Sequence, residues 1–153
     1  MKRWTLNLAR TLAMAALGTL TLSAGGMRLE IGNAKAHPEA AARKGLVLAR
    51  LTACQTPAKA VLTVTAEGIV DGKRRSIPVA YDSLATTGTW SIARNWPAEG
   101  KWALRLVASH PDYGTYHSSV LVRVEGDTFD WGKVKPFYGN PPAPSDVTDF
   151  LTK

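Results

Sequence analysis

KWALRLVA, residues 101–108, is the stretch on which the fold turns. Trp102, Leu104 and Leu106 share one side of a period-two pattern, with Lys101, Ala103 and Arg105 on the other. Side chains of extended backbone alternate between faces, so the pattern predicts a half-buried strand. Residues 116–125 continue it, with Val120, Val122 and Val124 in phase. Upstream, 60–70 sets Val61, Thr63 and Thr65 against Leu62, Val64 and Ala66. Asp71-Gly72 follows, and Asp-Gly favours a type I′ hairpin, whose two central residues need positive φ. The return run, 73–81, carries Ile77, Val79 and Tyr81 on one face. Pro78 demotes that run to a sheet edge, because proline has no N–H for a ladder. Residues 88–94 turn Trp90 and Ile92 inward, and 45–54 supplies a first, less regular run. Six strands in about 80 residues leave no room for crossover helices, so the sheets are antiparallel.

The turn before 101–108 narrows the architecture. Trp96-Pro97-Ala98-Glu99-Gly100-Lys101-Trp102 places a glycine, then an aromatic two residues on, then Leu104. That spacing is the corner leading into the penultimate strand of immunoglobulin-like sandwiches, with Trp102 where a tyrosine is usual. Trp90, Trp96 and Trp102 are therefore expected in the core, the Trp102 N–H seeking a backbone acceptor. The expected fold is all-β, an immunoglobulin-like antiparallel β-sandwich of about six to seven strands over 45–125.

Both ends of the chain differ in character. Lys2, Arg3 and Arg10 precede the uncharged run TLAMAALGTLTLSA at 11–24, the layout of a secretion signal. The run is shorter than the roughly 20 apolar residues that span a bilayer, so no stable membrane span is expected after the signal is cut. Two cleavage points fit: after Gly25, with Ser23 and Gly25 as the small residues, or after Ala36, following Ala34-Lys35-Ala36. The expected organisation is a signal and leader within 1–36, a mobile leader at 37–44, the sandwich at 45–125, and an irregular aromatic and proline-rich tail at 126–153 packed on it. Within that tail, Ser145 is expected to cap a short helix through Leu151. The periplasm or the exterior is the expected compartment.

Charge and composition remove several function classes. The net charge is +7, but residues 1–36 hold Lys2, Arg3, Arg10, Arg28 and Lys35 against Glu30 alone. Without them Lys+Arg falls from 19 to 14 and Asp+Glu from 12 to 11, leaving +3. Only Lys73-Arg74-Arg75 remains as a basic cluster, on the shoulder of the Asp-Gly hairpin, so no nucleic-acid partner is expected. A single cysteine, Cys54, permits no internal disulfide and reads as a strand-interior thiol. No G-x-S-x-G, H-E-x-x-H, C-x-x-C or P-loop occurs, and carboxylates such as Asp71, Asp82, Glu99, Asp112 and Asp127 sit at turns, so no enzyme is expected. The expectation is a non-catalytic binding or accessory module for a protein or small ligand, its loops making the contacts.

The three histidines, His37, His110 and His117, give a sharper alternative. Cleavage after Ala36 would leave His37 as the terminus, offering an α-amino nitrogen and an imidazole to a nitrogen-seeking ion such as Cu(II). The stretch 97–124, with PAEGKW, VASHP and the valine-alternating strand, resembles the last third of the small periplasmic copper-resistance sandwich proteins, which begin their mature chains with His-Pro. That resemblance implies periplasmic copper binding through His37 and His110. The family's Asp, shortly before its loop His, is replaced here by Ala108-Ser109, and 45–93 lacks the family's pattern.

Overall fold

The computed structural model describes residues 26–126 and 128–153. The basic segment, the apolar run at 11–24 and the first cleavage point lie outside the described residues.

Among the described residues, nine strands form two antiparallel sheets packed as a sandwich. The chain runs β1 (Arg28–Asn33), α1 (Pro38–Ala42), β2 (Val47–Thr52), β3 (Val61–Val70), β4 (Lys73–Pro78), β5 (Tyr81–Ser83), β6 (Thr89–Ile92), β7 (Lys101–Ser109), β8 (His117–Glu125), β9 (Thr128–Gly139) and α2 (Pro144–Thr152). One sheet has the order β1-β2-β6-β5 and the other β4-β3-β7-β8-β9. Apart from β9, this is the immunoglobulin order, with four strands in the first sheet and the central hairpins in the second. The core lies between the sheets. Leu62, Val64 and Ala66 meet Leu104, Leu106, Val120 and Val122 from one side, and Val47, Ala49, Trp90 and Ile92 from the other.

The central expectations hold in detail. Asp71 and Gly72 have φ of 51° and 71°, both positive as a type I′ turn needs, and join β3 to β4. Strand β4 is at the sheet edge, where Pro78 loses no ladder bond. The run 73–81 is divided: after Pro78 the chain leaves one sheet, and β5 joins the other beside β6. Trp102 is buried and its ring N–H donates to Glu99 O at 2.8 Å, closing the corner on itself. Gly68 is opposite Trp102 in the β3–β7 ladder. A Cβ there would lie 2.4 Å from the indole, so only glycine lets the ring lie flat on β3.

Among the described residues, the segments flanking 45–125 are more regular than expected. Residues 28–33, within the stretch expected as leader, form β1, paired with β2 from Arg28↔Thr52 to Asn33↔Val47. Met27, Leu29 and Ala34 are buried. The segment 37–44 is not a loose leader, since 38–42 forms α1 and Ala40 is buried beside Ala34 and Leu84. The tail is not irregular: 128–139 forms β9, paired with β8 across a register shift at Val122/Arg123. Its Pro136 is tolerated because β9 is an edge. Helix α2 covers the outer face of the same sheet, burying Val147 and Leu151 against Ala103 and Leu121. Ser145 does not cap it. Pro144 opens the helix and the Asp146 carboxylate accepts the Ala143 N–H at 2.9 Å. Arg74 ties the helix down, donating to Pro144 O and Thr148 Oγ1, and pairs with the buried Glu67 at 3.5 Å. This accounts for one member of the basic cluster.

Candidate functional site: the seam between β1 and β9

The two expected metal ligands are not brought together. His37 follows β1 and caps α1, its Nδ1 accepting the Ala40 N–H at 3.5 Å. That is the end of the sandwich where β1 finishes and β2 begins. His110 follows β7 at the opposite end, bonded to Thr56, beyond the far end of β2. Six residues of β2 lie between the two ends, about 20 Å at strand rise. Ligands of one metal ion must converge within a few ångströms, so His37 and His110 cannot share one in this fold. Among the described residues no group of three His, Cys, Asp or Glu side chains gathers around a point.

His110 is spent on the fold. It is 2% exposed; its Nδ1 accepts the Asp112 N–H at 3.1 Å and its Nε2 lies 2.8 Å from Thr56 O. A carbonyl only accepts, so Nε2 carries the proton and the ring is the neutral Nε2–H tautomer. It pins the loop after β7 to the turn after β2. Lys59 and Thr56 complete the clasp by donating to the Asp112 carboxylate, each at 3.2 Å. The Lys59 ammonium, chiefly through that hydrogen bond, holds the Asp112 carboxyl below the usual carboxylate range. Beside it, burial and the neighbouring Cys54 push the Tyr113 hydroxyl above its ordinary value. His117 starts β8, opposite Ser109 and Gly139.

An open cleft is found elsewhere, where the two sheets part along one side. Strand β1 is the edge of one sheet and β9 the edge of the other. Between them runs a cleft of about 540 Å³, lined by Leu29, Ile31, Val120, Trp131, Val134 and Pro136. Past Asn33 and Trp131 it continues into a second cleft of about 280 Å³, bounded by Lys35, Leu46 and Phe129. Trp131 stands at the junction, 39% exposed, its ring 5.5 Å from that of Phe129. Phe129 in turn meets Trp96 edge-on at 6.5 Å. The exposed indole therefore rests on an aromatic stack that reaches the core.

The backbone of β1 faces into this seam. Leu29 N–H points away from β2, since it donates to Ser118 Oγ of β8 at 2.8 Å. Antiparallel ladders alternate, so Ile31, two residues on, directs its N–H and C=O the same way. No strand flanks β1 there among the described residues. A sheet edge with an unused donor and acceptor is a template for another extended chain. Above it, on the outer face, are Arg28 and Glu30, both exposed; the Glu30 carboxylate accepts from Thr52 Oγ1 at 3.2 Å.

Sequence reasoning missed this site because it assigned one wall to a leader and the other to an irregular tail packed on the sandwich. A signal was present in the Leu29–Ile31 alternation of RLEIGN and in the aromatics Phe129 and Trp131. No family model matches the chain, and neither a curated protein nor a solved structure matches it.

Proposed function

We propose that the chain is an exported, non-catalytic binding module whose working surface is the β1–β9 seam, where it takes up an extended segment of a partner protein. The observation that carries this is the pairing of an unused strand edge at Ile31 with an apolar cleft beneath it. The guest's backbone would bond to Ile31 N–H and C=O, supplying affinity. Its alternate side chains would enter the cleft against Val120, Val134 and Trp131, supplying selectivity. Two carboxylates away from the seam, Glu67 and Asp112, favour a non-catalytic reading, because they have structural work. Glu67 accepts from Thr65, Ser76 and Arg74, and Asp112 from Thr56 and Lys59.

Export rests on the apolar run at 11–24, and β1 favours one of the two cleavage points. A cut after Gly25 keeps Met27 and Leu29 in the core; a cut after Ala36 removes both, with all of β1. It would also remove one wall of the seam.

Selection of peptides from a random displayed library tests the reading. Binders are expected to alternate apolar and polar residues and to lose binding to Ile31→Pro. That substitution deletes the outward N–H and leaves the β2 ladder intact. Trp131→Ala should weaken the same peptides by about 1–3 kcal/mol, the loss typical of a buried aromatic anchor. Peptides that bind Ile31→Pro and Trp131→Ala as well as the wild type would overturn the seam as the site.

A further inference from the structure

We infer that a separate cleft, at the β5 side of the sandwich, is a binding site for a single neutral sugar residue. It is independent of the seam, because β5 is the opposite edge of the sheet from β1. The cleft holds about 280 Å³ between the turn at Pro57–Lys59 and the loop that joins β5 to β6. Pro57, Ala58, Ala60 and Leu84 form its apolar part, and Ser83, Thr87 and Thr89 bring hydroxyls. None of its lining side chains carries a charge.

Two buried polar groups give the cleft its chemistry. Thr89 is 3% exposed, and its Oγ1 has no hydrogen-bond partner among the described residues. Trp90 follows it in β6 and also lines the cleft. It is 6% exposed, and its ring N–H bonds to no acceptor among the described residues. Burying a polar group without a partner is unfavourable, so folded proteins keep few of them. A bound molecule that satisfies both removes that cost.

The walls are already in place. Leu84 N–H donates to Thr89 O at 2.9 Å and Thr89 N–H to Thr86 O at 3.1 Å, closing the loop on itself. Leu51 N–H donates to Gly88 O at 2.8 Å and ties the loop to β2. Gly88 has a φ of 74°, and a Cβ there would lie 2.7 Å from Pro57 Cβ, so only glycine lets the loop lie against the turn. Tyr81 holds the Trp90 ring edge-on at 6.3 Å. A site built before its ligand arrives loses little freedom on binding.

The lining selects the ligand class. An ion would be desolvated there with no counter-charge, which is costly. Trp90 can only donate a hydrogen bond, whereas the three hydroxyls donate or accept. A sugar ring matches this set, since each of its hydroxyls does both and its C–H face suits the prolyl and alanyl carbons. The volume is at the lower end for small-molecule sites and admits one ring rather than a chain.

Chemical-shift titration of the nitrogen-15-labelled protein with glucose, galactose, mannose and N-acetylglucosamine tests this, followed at the amides of 87–89 and the Trp90 ring N–H. At least one sugar is expected to saturate with a Kd of about 1–10 mM, the range usual for so small a ligand. Thr89→Val removes the hydroxyl at nearly constant volume and should weaken binding about five- to tenfold, the loss of one hydrogen bond. Its melting temperature should be unchanged or raised, because that hydroxyl has no protein partner to lose. Ala58→Phe, at an exposed position, fills the cleft and should abolish binding. The methyl glycoside of the sugar that binds separates two sources: equal affinity assigns the end of a glycan, and lost affinity a free sugar. Glucuronate should bind at least tenfold more weakly than the best neutral sugar, and equal binding overturns the neutral assignment. No saturable shift with any of the four sugars, or binding that either variant leaves unchanged, overturns the site and leaves water as the partner of Thr89 and Trp90.

Discussion

Removing the side chain of Leu29 tests whether β1 belongs to the folded unit. Leu29 is 3% exposed and Met27 fully buried, both within the main core cluster. The next residue, Arg28, and Glu30 beyond it are exposed. Truncating a buried leucine or methionine to alanine costs about 2–5 kcal/mol, the lost transfer energy plus the cavity left behind. Residues 26–153 should have a total stability of about 6–19 kcal/mol, at 0.05–0.15 kcal/mol per residue. Leu29→Ala or Met27→Ala alone therefore removes a large share of it, whereas Arg28→Ala should stay within about 0.5 kcal/mol. Urea denaturation followed by far-ultraviolet circular dichroism, at one protein concentration, reads all three. The expected pattern is a lower midpoint for 27 and 29 and none for 28, with slopes unchanged. If all three variants melt with the wild type, β1 is not part of the cooperative unit and the seam loses a wall.

Three further outcomes follow from particular contacts. Gly68→Ala forces a Cβ to 2.4 Å from the Trp102 ring; it should cost about 1–3 kcal/mol and shift the tryptophan emission, measured by denaturation and fluorescence. His110→Ala leaves the Asp112 N–H and Thr56 O without their partner and empties the site of the buried ring; a loss of about 2–4 kcal/mol is expected, and Cu(II) should stabilise wild type and variant equally. The Asp112 carboxyl is held low by Lys59. Because its folded value lies below the unfolded one, its stabilising effect is complete above the unfolded value and fades as pH falls through the folded one. Carbon-detected NMR titration should place Asp112 below 3.8, and Lys59→Met should move it upward.

The middle of the chain was legible because local and long-range demands agree there. KWALRLVA alternates since one face meets the core, and Asp71-Gly72 turns since both residues accept positive φ. The ends were misread for physical reasons. Strand β1 follows directly on a signal-like run, and its six residues are too short, with Gly32 among them, to stand out by period alone. In β9, Gly132 and Pro136 read as breakers, yet an edge strand tolerates both since one side of its ladder is unused. The histidine pair could not be judged from sequence, because spacing along the chain does not reveal that β2 separates its members. That His110 is consumed by Thr56 and Asp112 depends on two loops meeting, 54 residues apart in sequence for the Thr56 contact.

The mass of the intact protein recovered from its own host tests the central claim most directly, because the seam exists only if β1 survives processing. A mature chain beginning at Gly26, with Met27 and the whole of β1 retained, is the expected result. A chain beginning at His37 would contradict the account, since β1, the Ile31 edge and one wall of the cleft would all be gone.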